Sequence, residues 1–521
     1  MTGASETPSA EDLSCDLSVV EREQRLSRSR LWDLQRRYFE REGVAAWSTN
    51  TVPHYVTNNP ALAHAYARVA LGFARDLGPG VPLTFVELGG GSGRFAFLFL
   101  RAFLRLCRGS ALADLRVRYV LTDFTAKNVA FWREHEAFRP LVAEGVLDFA
   151  VFDAEQDSEL HLLEAGTTLG PRSPGHPLVV IANYVFDGIR QDAFAFAGGE
   201  LQECLVTLQA RAGTDLDDPD HLGGLDVQYT VRGAPLDYYQ DPALDGLLRD
   251  YAARLDGSTI LFPFHAMRCL DRLAALSEDG RLLLLSSDKG DAHEESLHGA
   301  GHPVMALHGS FSMLVNYHAL GAYTERRGGQ ALKPPHQHTH LSVSAFLLGD
   351  HPAGYPETRL AYTEAVAHLG PDDVFSLRRA LDPHYGDLPL EALTALIRLC
   401  HDDPRVLRDC LPALWERLGD ASPVARRDLT ALIRRVYENY YHLGEERDLP
   451  FELALLCHGL SEPALALALF LDSRRLYGDD PRTQWNIGLC HAALGTVDEA
   501  ARCFAAATAA GFTPVGALQA K

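Results

Sequence analysis

The chain has 521 residues, of which 47% are hydrophobic and 22% charged, and its formal net charge is −21 at pH 7. This length predicts two or three domains, and the composition is typical of a soluble globular protein. The negative charge disfavours general binding to nucleic acid or anionic membranes, and no apolar run is long enough to cross a bilayer. The nine cysteines include no C-x-x-C pair, which indicates reduced thiols. We therefore expect a cytoplasmic protein.

The N-terminal part of the chain divides into two segments. Residues 1–20 are polar and acidic, unlike a targeting sequence, and are predicted to be disordered. Residues 21–80 are predicted to form a helical cap, with one helix over 31–43 and another that begins at Pro60. The polar loop between them could cover a ligand of the next domain or simply cap its sheet.

A glycine-rich turn follows in residues 85–97, FVELGGGSGRFAF, which read as a strand, a tight turn and a helix. The strand ends at Glu87, and Gly89, Gly91 and Gly93 lie in the turn. Glycines let a ligand approach the backbone closely, and a carboxylate there suits the cationic amino group of S-adenosylmethionine (SAM). The same turn also fits a relaxed G-x-G-x-x-A dinucleotide pattern, or a turn without a ligand.

Polar residues follow three further predicted strands, which are 116–124, 147–157 and 176–192. In a parallel sheet such strand ends converge on one crevice. Asp123 is placed to hold ribose hydroxyls and Asp153 to receive an adenine amino group. Asn183, Tyr184 and Asp187 follow the fourth strand, where an acceptor would meet the cofactor.

The remaining core completes an α/β fold. A hairpin about Gly198 begins a small antiparallel insertion over 193–232, and two strands at 281–290 and 341–349 close the pattern. We expect a seven-stranded, doubly wound class I methyltransferase sheet within residues 81–349, with the last strand antiparallel.

The order of ELGGGSGR, VLTDF, VIANYVFDGIRQD and a Gly-Arg-Leu-Leu-Leu strand resembles the MidA-like SAM-dependent methyltransferases over about residues 45–349. That group includes protein-arginine methyltransferases of the complex I assembly factor type. The family pattern after the fourth strand has Glu where this chain has Tyr184. A carboxylate there would orient a guanidinium, so the acceptor stays open.

A methyltransferase site needs mainly to position its reactants and exclude water. Glu87 would orient the amino group of SAM, and the glycine turn would lie against its methionine part. Asn183 would offer its carbonyl oxygen to the nucleophile's proton and also contact the cofactor. Asp187 could act as the base. His318 is a further candidate base or a structural histidine.

Three histidines, His336, His338 and His340, alternate along one segment. Such spacing can bind zinc, but a chance cluster in a solvated loop is the simpler interpretation in a chain with 22 histidines. No metal is expected.

The rest of the chain is predicted to be all helical. Residues 350–445 form a helical region, and 446–521 resemble tetratricopeptide (TPR-like) repeats. Ala466 aligns with Ala500 and Phe470 with Phe504, each at an offset of 34 residues. Such repeats would offer a surface for a protein or peptide partner, or serve as a stabilising or dimerising appendage, so a homodimer stays open.

Two functions follow from these observations. One is a methyltransferase that transfers the methyl group of SAM to a protein, peptide or peptide-derived acceptor recruited by the repeats. The alternative is a catalytically silent methyltransferase-fold scaffold or assembly factor.

Overall fold

The computed structural model describes residues 17–49, 51–171, 176–215, 217–338, 340–350 and 354–513. The chain divides into an α/β unit, Met1–Asn58 with Leu62–Asp372, and a helical unit, Asn59–Ala61 with Asp373–Lys521. The boundary thus falls later than the predicted one at 349/350. Asp76 explains the difference, because its carboxylate accepts the backbone N–H and the hydroxyl of Thr358 at 2.8 and 2.7 Å. These hydrogen bonds hold the helix Pro356–Tyr362 in the α/β unit.

The strands of the described residues are β1 Leu17–Arg25, β2 Leu83–Leu88, β3 Val117–Asp123, β4 Leu147–Val151, β5 Leu160–Leu162, β6 Thr167–Leu169, β7 Leu178–Asn183, β8 Asp192–Ala197, β9 Glu200–Arg211, β10 Asp226–Gly233, β11 Thr259–Phe262, β12 Leu282–Asp288, β13 Gly290–Asp291, β14 Ala306–His308, β15 Ser310–Ser312, β16 Val315–Asn316, β17 Gln330–Leu332 and β18 Ser342–Leu348.

The α-helices of the same residues are α1 Leu31–Glu42, α2 Ala45–Ser48, α3 Pro60–Leu77, α4 Arg94–Arg108, α5 Ala126–Glu134, α6 Arg139–Ala143, α7 Pro242–Arg254, α8 Phe264–Ala274, α9 Tyr317–Arg326, α10 Pro356–Tyr362, α11 Pro371–Leu381, α12 Leu390–Leu399, α13 Pro404–Arg417, α14 Pro423–Glu438, α15 Leu449–Gly459, α16 Pro463–Tyr477, α17 Pro481–Ala493 and α18 Val497–Ala509.

A seven-stranded sheet forms the centre of the α/β unit, in the order β17-β18-β12-β7-β2-β3-β4. Its central strands are parallel, while β18 is antiparallel to both β12 and β17. The seven-stranded α/β sheet and its antiparallel last strand are therefore confirmed, although the short β17 was not predicted. The chain leaves β2 towards β3 and β4, and then returns to β7 on the other side of β2. Such a reversal of strand order opens a crevice at the carboxyl ends of the strands.

Apolar residues explain why β2 lies in the middle of this sheet. All six of its residues are buried, as expected for a strand covered on both faces. Below the glycine turn, the ring of Phe85 lies 5.2 and 4.9 Å from those of Phe99 and Phe103 in α4. This packing fixes the turn between β2 and α4.

A second, five-stranded sheet stands beside the first. The predicted hairpin of β8 and β9 is present, with φ angles of +61° and +79° at Gly198 and Gly199, and β10 pairs with β9. The sheet is larger than the predicted insertion, because β11 pairs with β8 and β1 pairs with β9. Disorder was wrongly expected at residues 17–20, which belong to β1, whereas residues 1–16 lie outside the described residues.

The N-terminal cap contains the predicted helices α1 and α3, but its first five residues, 21–25, continue β1. Helix α9 begins at Tyr317. The carbonyl oxygen of the Asn316 side chain accepts the backbone N–H of Ala319 at 2.8 Å and caps the helix there.

The helical unit has a core of its own that runs from α12 to α18. The predicted regions 350–445 and 446–521 therefore do not separate at 445/446. At the aligned positions, Ala466, Phe470 and Ala500 are buried, and a Cβ atom at Gly488 would lie 2.6 Å from the ring of Phe504. The small residues thus allow the close contact between α17 and α18. None of the helices described here is both long and apolar enough to span a membrane.

Candidate functional site

A cavity lies at the carboxyl ends of the parallel strands of the α/β unit. Strand ends supply Gly89, Asp123, Asp153, Tyr184 and Asp187 to its lining. Of the predicted site residues, these five are brought together. The other side of the cavity is formed by residues of α1, α2 and the 52–53 loop, and by the segment 308–312.

The glycine turn has the conformation that its sequence predicts. Gly89, Gly91 and Gly93 have φ angles of +57°, +53° and +78°, which side chains with a Cβ atom rarely adopt. A Cβ atom at Gly91 would lie 3.2 Å from the indole of Trp47, and one at Gly89 would lie 3.0 Å from Val185. The turn is therefore a cradle in which only glycine leaves room at the backbone.

Asp123 links this turn to the end of β3. Its carboxylate accepts the backbone N–H of Gly91 at 3.2 Å and the side-chain amide of Asn128 at 3.0 Å. It also accepts the N–H and the hydroxyl of Thr125, both at 2.9 Å. Burial raises the pKa of Asp123, whereas these donors lower it. Asp123 lines the cavity, and its predicted contact with ribose hydroxyls stays a prediction.

Asp153 lies two residues beyond the end of β4 and is held by α1. Its carboxylate accepts a hydrogen bond of 2.8 Å from the guanidinium of Arg36, which lies 4.5 Å from the ring centre of Phe124. Its other oxygen accepts the backbone N–H of Glu155 at 2.9 Å. The carboxylate predicted to meet the adenine therefore already has a cationic partner.

Glu87 is buried and is not among the residues that line the cavity. The hydroxyl of Tyr119 on β3 donates to its carboxylate. Burial raises the pKa of Glu87 to about 8, the Tyr119 hydrogen bond lowers it, and the charge of Asp123 raises it further. The predicted contact of Glu87 with the amino group of SAM stays a prediction.

Asn183, the last residue of β7, also faces protein groups. Its carbonyl oxygen accepts the hydroxyls of Tyr66 and Ser287 at 3.0 and 2.7 Å, and it is not among the residues that line the cavity. The next residue, Tyr184, has a φ angle of +52° and lines the cavity. The turn after β7 therefore directs Tyr184, and not Asn183, into the cavity.

Asp187 forms a carboxyl pair with Asp288, the last residue of β12. The two side chains share a hydrogen bond, and Asp288 also accepts the backbone N–H of Asp187 at 3.2 Å. Burial raises the pKa of Asp187 to about 7, while the hydrogen bonds from Asp288 and Ser312 and the charge of Lys289 lower it. Asp187 can therefore gain or lose a proton near neutral pH.

The predicted histidines lie elsewhere. His318 is in α9, its Nδ1 is 2.8 Å from the hydroxyl of Tyr251, and it is not among the residues that line the cavity. Burial lowers its pKa. No group of three His, Cys, Asp or Glu side chains suited to a metal ion occurs in the part of the chain that the structure describes, which includes His336, His338 and His340.

The residues of this site that were not predicted include Arg36, Trp47, Asp288 and Lys289. Asp288 lies two residues before the end of the predicted strand 281–290, so the rule that identified Asp123 could have found it. The positions of Arg36 and Trp47 depend on how α1 and α2 pack against the α/β unit, and no local pattern marks them.

Comparison with known proteins identifies the class of this domain. Residues 65–317, just under half of the chain, match the family model described as "Putative S-adenosyl-L-methionine-dependent methyltransferase". The domain is a SAM-dependent methyltransferase domain and its cofactor is SAM. The cradle at Gly89 and Gly91 and the strand-end carboxylates fit such a cofactor. None of the curated proteins matches the chain.

Solved structures resemble the chain only distantly. An uncharacterized protein from Burkholderia thailandensis has 15% identity and a TM-score of 0.38, with coverage of 66% of this chain and 96% of that one. A member of the same superfamily from that organism, bound to S-adenosyl-homocysteine, has 14% identity, a TM-score of 0.37 and the same coverage. Magnesium protoporphyrin IX methyltransferase from Synechocystis PCC 6803 has 10% identity, a TM-score of 0.28, and coverage of 61% and 99%. Likeness of this extent decides nothing about the activity.

We predict that Glu87 makes the α/β unit less stable as the pH rises. The folded protein keeps the Glu87 proton up to a pKa of about 8, whereas the unfolded chain loses it near the ordinary glutamate pKa of 4.5. Between these values the contribution of Glu87 to the free energy of unfolding falls by about 1.4 kcal/mol per pH unit. Glu87→Gln should remove this contribution. Denaturant unfolding from pH 4 to 9 measures it, and equal pH dependence in both proteins would contradict it.

We also predict that Gly91→Ala abolishes SAM binding, which isothermal titration calorimetry measures. A Cβ atom at Gly91 would enter the cradle and strain a backbone with a φ angle of +53°. Gly145→Ala is the matched control, because Gly145 has a φ angle of +69° and open space around its Cβ position. Equal loss of SAM affinity in both variants would show that backbone strain, not the cradle, is responsible.

Proposed function

We propose that this protein transfers the methyl group of SAM to a protein, peptide or peptide-derived acceptor, and that Asp187 accepts the proton that the acceptor loses. The observation that supports this role is that Asp187 and Gly89, the first glycine of the cradle, line one cavity. A titratable carboxyl group in the cavity that holds the cofactor is placed to act as a general base.

SAM supplies an electrophilic methyl group on a sulfonium sulfur. As the acceptor's lone pair forms a bond to this carbon, the carbon–sulfur bond breaks and its electron pair stays on sulfur. The proton released by the acceptor passes to the Asp187 carboxylate, which completes the balance. Aromatic residues around the cavity, including Trp32, Phe124 and Phe311, help to exclude water.

The helical unit supports a macromolecular acceptor. Its last four helices have similar residues at an offset of 34, and Ala466, Phe470 and Ala500 among them are buried where consecutive helices pack. Tetratricopeptide-like stacks present extended surfaces to peptides. We propose that the helical unit is such a stack and recruits the acceptor or its carrier protein.

A catalytically silent scaffold is the second candidate. Two observations favour it: Asn183, the predicted contact of the acceptor, and Glu87, the predicted contact of the cofactor, both bind protein groups instead. Such a protein would bind SAM without transferring its methyl group.

Calorimetric titration with SAM and S-adenosyl-homocysteine, followed by incubation with methyl-labelled SAM and a protein extract, tests both candidates. Label found in peptides by mass spectrometry supports methyl transfer. Binding of SAM with no label transferred to any peptide supports the scaffold. Binding of NADH in place of SAM would exclude both.

We predict that Asp187→Ala lowers turnover by about 10²- to 10⁴-fold, the range for loss of a general base, with little change in SAM affinity. Asn183→Ala should also lower turnover more than SAM affinity, because Asn183 connects β7 to Tyr66 and Ser287. Asp226→Ala is the control, since Asp226 is exposed on β10. Turnover is measured at saturating SAM. If a substitution lowers only SAM affinity, the residue that it replaces has no role in methyl transfer.

We further predict that removal of residues 373–521 leaves SAM affinity unchanged but raises the apparent KM for a macromolecular acceptor. The cavity belongs to the α/β unit, and recruitment adds binding energy away from the reacting atoms. A cut at Gly444 should cause aggregation, because it divides the core of the helical unit. Unchanged kinetics after a cut at 372 would show that the helical unit does not recruit the acceptor.

A further inference from the structure

Asp288 brings a second carboxyl group to the side of the cavity where Asp187 lies. It is only 1% exposed, whereas Asp187 is partly exposed and lines the cavity. The two side chains share a hydrogen bond. Because an ionised carboxylate has no hydrogen to donate, one member of such a pair must be protonated. The pair therefore keeps at least one proton, and it carries one negative charge once the pH exceeds the Asp187 pKa of about 7.

Two opposing effects determine which carboxyl group keeps that proton. The backbone N–H groups of Asp187 and Lys289 donate to Asp288 at 3.2 and 2.8 Å, which favours a charged Asp288. Its deep burial and the nearby charge of Asp187 oppose this and raise the pKa of Asp288 well above its usual range. At Asp288, burial and the charge of Asp187 together outweigh the two backbone hydrogen bonds, so the protonated form is favoured.

The charge of Lys289 favours the same arrangement, and the other titratable groups around the pair are neutral. Tyr66 from α3, Tyr184 after β7 and Tyr317 from α9 all interact with Asp288, and burial raises the pKa of each phenol, so they stay neutral. The positive charge of Lys289 lowers the pKa of Asp187. Burial lowers the pKa of His308, so this side chain is neutral at neutral pH.

We propose that Asp288 is a positioning residue that keeps the proton of this carboxyl pair and donates it in a hydrogen bond to Asp187, so that Asp187 presents the pair's one carboxylate to the acceptor. This inference deepens the proposed function and rests on it for the role of Asp187. An acid–carboxylate pair of this kind fits an acceptor that reacts as a neutral N–H or O–H nucleophile and releases one proton, because one carboxylate can take up one proton.

Infrared spectroscopy of the full chain tests the position of the proton without any acceptor. Since Glu87 also titrates near pH 8, all proteins carry Glu87→Gln. We expect the signal of a protonated carboxyl group at pH 8, its loss in Asp288→Asn, and its persistence in the exposed control Asp226→Asn. Absence of this signal at pH 8, or its persistence in Asp288→Asn, would overturn the proposal.

A pH titration of the Asp187 carboxylate band separates a hydrogen-bond donor from a merely structural residue. Asparagine can still donate a hydrogen bond, so Asp288→Asn should keep the pKa of Asp187 near its value of about 7. Alanine cannot donate, so Asp288→Ala should raise that pKa by about one unit or more. Equal shifts of the Asp187 pKa in both variants would overturn the proposal. If Asp288→Ala does not fold, the infrared signal of Asp288→Asn at pH 8 decides alone.

The two proposals can fail separately. If SAM is bound and methyl groups are transferred but the infrared signal does not depend on Asp288, the proposed function stands and the inference about Asp288 is wrong. If the signal depends on Asp288 but no methyl transfer occurs with any acceptor, the proton position is correct and the proposed function is wrong.

Discussion

The site depends on one constraint, which is that parallel strands on either side of a reversal in strand order must all end at the same edge of the sheet. Here the reversal lies between β2 and β7. The ends of β3, β4, β7 and β12 therefore each add a polar residue to one crevice, and neighbouring strands bury the side chains at their ends. Burial makes hydrogen-bonding or charged partners necessary for these carboxyl groups, because a buried charge is stable only with such partners. Asp123, Asp153 and Asp187 have each acquired such partners from the protein.

These partners also show why the carboxyl groups differ in chemistry. Asp123 accepts four hydrogen bonds, which stabilise its charge against the effect of burial. Asp153 is paired with a guanidinium. Asp187 is instead paired with another acid, and such a pair retains a proton near neutral pH. One sheet edge thus carries carboxyl groups suited to holding a ligand and one suited to proton transfer.

Features with local causes could be predicted from the sequence. The buried strands, the left-handed glycines of the turn and the polar strand ends follow from short patterns, and the structure places Gly89, Asp123, Asp153, Tyr184 and Asp187 at one cavity. Side-chain direction at a strand end could not be predicted in the same way. Asn183 and Glu87 lie at the right edge but bind Tyr66, Ser287 and Tyr119. The pairing of β1 with β9 and the contact of Arg36 with Asp153 join distant parts of the chain, which no local pattern reveals.

The pairing of β1 has a consequence for the order in which the protein can be assembled. Leu17 of β1 pairs with Arg211 of β9. Along the chain, α1 and the central-sheet strands β2, β3, β4 and β7 come between these two strands of the second sheet. During synthesis, residues 17–25 leave the ribosome well before β9 exists, and they have no strand to pair with until it does. Since α1 follows β1 directly and supplies Arg36 to the cavity wall, that wall is completed only after the glycine turn, β3, β4 and β7 have been made. The part of the site that is synthesised first is therefore among the last to reach its place.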